Sequence, residues 1–226
     1  MVLEIGEITR LYATRGSVPV RGAGLCQLHH ALQCADLAER ARSPAALVAA
    51  ALLHDLGHLL ASYSEELSDQ VDDGHQYVPV PFLRGLLPDA VIEPIRLHVD
   101  AKRYLCAVDG GYWSSLSTTS RRRLAAQGGP FSAAEAAAFM RQPFAADALA
   151  VRRWDGLARD PAARPPGWSH FRPLLERLRD RERMATMSCG LRHDDVTNTP
   201  YKPGRSPTIL ARHINLKSQH HHGQEL

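Results

Sequence analysis

The sequence lacks the marks of several protein classes. No apolar run reaches the roughly 18 residues that span a bilayer, which argues against a membrane protein. Aromatic residues make up only 6% of the chain, the formal net charge is only +3, and aromatic and basic residues do not interleave, which argues against a nucleic-acid partner. The four cysteines form no C-x-x-C pair, and residues 1–7 do not resemble a signal peptide. We therefore expect a cytoplasmic protein with reduced thiols.

What is present indicates an all-α protein. Segments rich in alanine and leucine dominate the 226 residues, and runs of β-branched residues are few. We predict one helical domain over residues 1–186 and a polar tail over 187–226 that lies on the surface or is disordered. The predicted elements are a short helix within 1–14, a loop over 15–25, a polar loop over 61–74, and helices over Gln27–Arg40, Ala45–Leu60, 88–106, 117–127, 133 onwards, Ala145–Arg159 and Phe171–Met184.

The sequence around His54-Asp55 places an imidazole beside a carboxylate inside an apolar helical run. Burying such a pair is costly unless a partner or a metal ion compensates. A lone His-Asp pair more often has a structural role, but here further histidines occur at His30, His75 and His98, and an aspartate at Asp155. His30 falls on the apolar face of its helix, so we expect it to point inward.

Six candidate ligands exceed the four of a closed zinc site and suit two metal ions with a bridging carboxylate. Asp55, beside His54, is the natural bridge. Imidazole and carboxylate ligands fit iron, manganese or zinc, and spacing alone does not choose among them.

Four further residues could bind an anion beside the metals. Lys102 lies one turn beyond His98, Arg152 shares a face with Asp155, His58 shares a face with His54, and Ser120 lies in the first turn of a helix. Together they indicate a phosphate or phosphonate ligand. The alternative is that Lys102 and Arg152 pair with acidic surface groups.

The order His … His-Asp … His … His … Asp resembles the HD-domain superfamily. The blocks 27–35, 51–58, 98–105, 116–130 and 152–155 look more specifically like the HD-domain mixed-valent di-iron phosphonate oxygenases, which are related to myo-inositol oxygenase. The resemblance covers residues 25–160. It implies an HD-domain helical bundle around a dinuclear site, an Fe(II)/Fe(III) pair as cofactor, O2 as co-substrate, and cleavage of the C–P bond of a 1-hydroxyphosphonate to phosphate and a carboxylate.

Carried onto this chain, the resemblance implies a role for each candidate residue. His30, His54, Asp55, His75, His98 and Asp155 would bind iron, and His58, Lys102, Ser120 and Arg152 would hold the phosphonate. Asp55, His58 and Lys102 would be the catalytic residues among them.

One departure bears on the substrate. The aminophosphonate-cleaving member of the family has a tyrosine and a glutamate before its first ligand block, and the glutamate contacts the ammonium group of the substrate. At approximately the matching positions this chain has Val20 and Ala23. The departure favours (R)-1-hydroxy-2-(trimethylammonio)ethylphosphonate, cleaved to glycine betaine, because a quaternary ammonium needs no hydrogen-bond acceptor and packs on aromatic rings. The candidate rings are Tyr12, Tyr104, Tyr112, Trp113 and Trp154.

Three alternatives stay open at this point. The same chemistry could act on 2-amino-1-hydroxyethylphosphonate and yield glycine. The protein could instead be an HD-type metal-dependent phosphohydrolase, in which a metal-bound water attacks a phosphate ester. It could also be a non-enzymatic HD module that senses a ligand.

Overall fold

The computed structural model describes residues 2–20, 24–60 and 74–191, with side chains to residue 188. Within these ranges the chain forms helices and one short ribbon. In chain order they are α1 Ile5–Arg15, β1 Pro19–Val20, β2 Leu25–Cys26, α2 Gln27–Arg40, α3 Ala45–Leu53, α4 Leu56–Leu60, α5 Val80–Leu83, α6 Asp89–Val108, α7 Gly110–Ser115, α8 Thr118–Ala126, α9 Ala133–Met140, α10 Ala145–Leu157 and α11 Trp168–Leu191. The predicted all-α fold is confirmed.

Helix α3 lies at the centre of the bundle. All residues from Leu47 to Leu53 are buried, and the helix packs against α2, α6, α10 and α11. A helix that is apolar on every side is stable only when other helices surround it. Each buried leucine contributes about 1.5–3 kcal/mol, so this packing holds in place α2, α6 and α10, which carry His30, His98 and Asp155.

The predicted continuous helix Ala45–Leu60 is wrong in one respect, because it is interrupted at His54-Asp55. The His54 Nδ1 lies 2.9 Å from the Ala51 carbonyl oxygen, and this carbonyl is the one that the Asp55 N–H would use if the helix continued. His98 makes the same contact with the Ile95 carbonyl without interrupting α6, so this contact alone does not end the helix. The chain restarts as α4, and the interruption falls at the two central candidate ligands.

The predicted loop over 15–25 also proved partly wrong, because it contains the β1–β2 ribbon, with Val20 paired to Leu25. Helix α7 was not predicted, whereas α2 has the predicted limits and α6 accommodates Pro94 inside it. Helix α11 begins earlier and ends later than predicted, passing residue 186. Residues 61–73 lie outside the described residues, so the polar loop expected there stays a prediction. Residues 192–226 also lie outside them, so the division into a domain and a tail stays a prediction as well.

Among the residues that the structure describes, none of the helices is both long enough and apolar enough to cross a membrane.

Candidate metal centre

The six candidate ligands, far apart in sequence, come together in the middle of the bundle. His30 is on α2, His54 and Asp55 form the break between α3 and α4, and His98 and Asp155 are on α6 and α10. His75 precedes α5. The carboxylate of Asp55 lies at the centre of the group. Its Oδ1 is 3.4 Å from His54 Nε2, 3.6 Å from His75 Nε2 and 3.9 Å from His98 Nε2.

The second oxygen of Asp55 faces the other side of the cluster. Asp55 Oδ2 lies 3.8 Å from His30 Nε2, which is 3.4 Å from Asp155 Oδ1. One carboxylate thus has one oxygen toward the histidine pair His75 and His98 and the other toward His30 and Asp155. This is the arrangement that a carboxylate bridging two ions requires.

Backbone contacts fix which nitrogen of each ring faces the centre. The Nδ1 atoms of His30, His54 and His98 lie 2.7–2.9 Å from the carbonyl oxygens of Ala158, Ala51 and Ile95. A carbonyl only accepts hydrogen bonds, so each Nδ1 carries the proton. In the neutral rings the Nε2 lone pairs then point at the centre, as in metal-binding histidines whose other nitrogen is held by a backbone carbonyl.

The donor atoms fit metal ions better than they fit one another. His54 Nε2 is buried and has no hydrogen-bond partner among the described residues. His75 Nε2 and His98 Nε2 are 3.0 Å apart. Two nitrogens bound to one ion at about 2.0–2.1 Å lie about 2.8–3.4 Å apart. Lone pairs and carboxylate oxygens that converge at these distances need a cation between them.

Most of the charge states in the cluster match this requirement. The exception is His30: burial alone would lower its pKa, but Cys34 and Asp155 raise it well above its usual range, so this ring would release a proton on binding an ion. Burial alone would raise the pKa of Asp55, but the neighbouring His54, His58 and His75 hold it well below its usual range. For Asp155 burial is likewise outweighed, mainly by Arg152, and the pKa is well below its usual range. Burial and the neighbouring His75 lower the pKa of His98. Ionised carboxylates and a neutral imidazole are the forms that bind metals.

The cationic residues lie at the open side of the cluster. Lys102 and Arg152 are only 5% and 7% exposed, so neither pairs with surface acids as the alternative proposed. The Nζ of Lys102 donates to Gln127 Oε1 at 3.1 Å, and burial lowers the pKa of Lys102 to about 7. Arg152 pairs with Asp155, and its Nε donates to the Tyr112 hydroxyl at 2.6 Å.

A cavity opens beside these residues. Eight of the ten predicted site residues line it, and His30 and His54, 1% and 0% exposed, are buried more deeply. The Ser120 N–H bonds to the Ser117 hydroxyl that caps α8 at its N-terminus. The other lining residues are Val20, Val99, Thr119, Arg123, Gln127 and Arg159.

Sequence reasoning missed two residues that hold the anion binders in place. Gln127 is the partner of Lys102, and its position in the block 116–130 was a signal that could have identified it. Tyr112 is 40 residues from Arg152, and local spacing does not predict such a contact. None of the five proposed aromatic residues lies among the described residues that line the cavity.

Comparison with known proteins identifies two relatives that are named as phosphonate dioxygenases, although no family model matches the chain. The chain is 33% identical over 172 residues to [1-hydroxy-2-(trimethylamino)ethyl]phosphonate dioxygenase (glycine-betaine-forming) of Leisingera caerulea. The aligned residues cover 76% of this chain and 88% of the relative. It is 40% identical over 152 residues to hydroxymethylphosphonate dioxygenase of Gimesia maris. Here the aligned residues cover 66% of this chain and 76% of the relative.

Proposed function

Since the chain belongs to the phosphonate dioxygenase family, a group of oxidoreductases, we propose that it uses O2 and two iron ions to cleave the C–P bond of a small 1-hydroxyphosphonate. The carbon that carries the hydroxyl group is oxidised by four electrons to a carboxylate, O2 is reduced by the same four electrons, and the phosphorus leaves as phosphate. The position of Asp55, with Oδ2 toward His30 and Oδ1 toward His54, His75 and His98, carries this proposal.

The ligands divide into two groups that share Asp55. His30, His54 and Asp155 would hold one ion, and His75 and His98 the other, with Asp55 between them. Nitrogen and oxygen donors of this kind suit iron. Two iron ions held there would supply the one-electron redox chemistry that a reaction with O2 requires. With three protein ligands in one group and two in the other, beside the shared carboxylate, room is left for the substrate.

The phosphonate group would bind on the open side of the cavity, against Lys102, Arg152, His58 and Ser120. Two cations in a largely buried site bind a dianion strongly, because water does not screen them there. Arg152 pairs with Asp155, which is itself a candidate ligand, so a phosphonate bound to Arg152 would lie beside the metal ions. The bound dianion would also favour the charged form of Lys102, whose pKa burial lowers to about 7.

The cavity wall bears on the rest of the substrate. Its described residues include Val20, Val99, Arg123 and Arg159 but no phenylalanine, tyrosine or tryptophan. A trimethylammonium group would find none of these aromatic faces among them and would bring a positive charge toward arginines. This composition favours a small, uncharged substituent. We therefore place hydroxymethylphosphonate, the substrate in the name of the Gimesia maris relative, above the trimethylammonio substrate expected from the sequence.

An activity assay with full-length protein, reconstituted with iron without oxygen, tests this proposal. Hydroxymethylphosphonate and the trimethylammonio and primary-amine substrates are each compared with and without O2. We expect one phosphate per O2 consumed, with the highest kcat/KM for hydroxymethylphosphonate. Phosphate released from phosphate esters without O2 would instead establish a phosphohydrolase. Binding of phosphonates without turnover would establish a sensor. A higher kcat/KM for the trimethylammonio substrate would refute the substrate assignment alone.

A further inference from the structure

A buried thiol lies beside the group of ligands around His30. Cys34 is one helical turn after His30 on α2 and is 0% exposed. Its Sγ lies 3.8 Å from His30 Nε2. The three atoms His30 Nε2, His54 Nε2 and Cys34 Sγ all lie within 4.8 Å of one another. The sulfur thus borders the donor set, although Cys34 is also part of the hydrophobic core.

The state of His54 shows that this space needs a further atom. Its Nε2 is fully buried and without a hydrogen-bond partner among the described residues, while its Nδ1 is used by the Ala51 carbonyl. The nitrogen lone pair therefore points into the space that Cys34 Sγ also borders. An unpaired buried acceptor destabilises the fold, and a bound cation removes that cost.

The distances are compatible with one ion bound by nitrogen and sulfur together. An ion about 2.0–2.1 Å from an imidazole nitrogen and about 2.3 Å from a thiolate places the two ligand atoms about 3.1–3.6 Å apart. The measured His30 Nε2–Cys34 Sγ separation of 3.8 Å is close to that range. A side-chain shift of a few tenths of an ångström is sufficient.

We propose that Cys34 is a thiolate ligand of the metal ion held by His30 and His54. The inference rests on the metal centre of the proposed function. Binding would form the metal–sulfur bond and release the thiol proton to solvent. The two halves of the centre then differ in character, because one has a sulfur ligand and the other, around His75 and His98, has nitrogen and oxygen alone.

Cobalt spectroscopy tests the sulfur ligand directly. Full-length metal-free protein is titrated with Co²⁺ without oxygen, and the near-ultraviolet band of thiolate-to-cobalt charge transfer is recorded together with the bound cobalt. The variants are Cys34→Ser, Cys34→Ala and His54→Ala. Cys106→Ala is the matched control, since Cys106 is also a buried thiol but is not in the donor set.

We expect the band in the wild-type protein and in Cys106→Ala, and its loss in both Cys34 variants and in His54→Ala. Cobalt that binds to wild-type protein without the band would overturn the role of Cys34 and leave the metal centre standing. A band that persists in the Cys34 variants would overturn it as well. Failure of cobalt to bind at all would overturn both the thiolate ligand and the metal centre. Cobalt bound without the band in the wild-type protein decides against Cys34 even if a variant does not fold, and Cys34→Ser, which nearly keeps the size of the side chain, identifies the source of a band that is present.

Discussion

The Lys102→Met substitution separates the cost of a buried amine to the fold from its contribution to substrate binding. Lys102 is 5% exposed, and burial lowers its pKa from 10.5 to about 7. The unfolded chain binds the proton more tightly than the folded chain. The resulting penalty is fully present below pH 7 and disappears as the pH rises through 10.5. It amounts to about 4 kcal/mol at pH 7 and about 1 kcal/mol at pH 10.

Methionine removes this penalty but leaves Gln127 Oε1 without its donor, at a cost of about 1–3 kcal/mol. We therefore expect metal-free Lys102→Met to be more stable than the wild type by about 1–3 kcal/mol at pH 7, and equal or less stable at pH 10. Urea unfolding followed by circular dichroism measures both values. Arg177→Met, at an exposed cation on α11, is the matched control and should change neither.

The same substitution should weaken catalysis. A hydrogen bond from the Lys102 ammonium to the phosphonate contributes about 1.5–3 kcal/mol, so kcat/KM should fall about 10- to 150-fold. A variant that gains stability and loses activity supports both parts of the reasoning. The stability gain of Lys102→Met over the wild type should be larger at pH 7 than at pH 10. An equal or smaller gain at pH 7 would refute the account of the buried amine. Unchanged kcat/KM would refute its role in binding.

Two further substitutions test how other residues support the site. A Cβ at Gly57 would overlap the His75 carbonyl oxygen and lie 3.0 Å from the His75 Cα, so Gly57→Ala should displace His75 and reduce the metal content measured by elemental analysis. Two tightly bound ions in this variant would show that the His75 backbone yields. Tyr112→Phe removes the acceptor that orients Arg152 and should raise KM about fivefold with little change in kcat. An unchanged KM with a lower kcat would contradict the positioning role.

Sequence periodicity was sufficient for the parts of the site that depend on one helix. The stripe of α2 placed His30 inside, and the spacing of four residues between His98 and Lys102 placed both on the buried face of α6. Position on a helix follows from residue spacing alone, since helical geometry repeats every 3.6 residues. The all-α class followed from composition in the same way.

Contacts between distant segments were not predictable in this way. The partners of Lys102 and Arg152 come from other helices, Gln127 and Tyr112. The close approach of Gly57 to the backbone of His75 likewise joins segments that are distant in sequence. Which of the aromatic candidates, if any, line the cavity could not be predicted for the same reason, because the lining of a cavity depends on tertiary packing.

The most direct test of the central claim is the number of iron ions bound per chain. The two groups of ligands that share Asp55 predict two tightly bound ions after reconstitution without oxygen, measured by elemental analysis against protein concentration. They also predict that Asp55→Ala, which removes the shared carboxylate, loses metal and activity together. Wild-type protein that never exceeds one tightly bound ion, or Asp55→Ala protein that keeps two, would contradict the account.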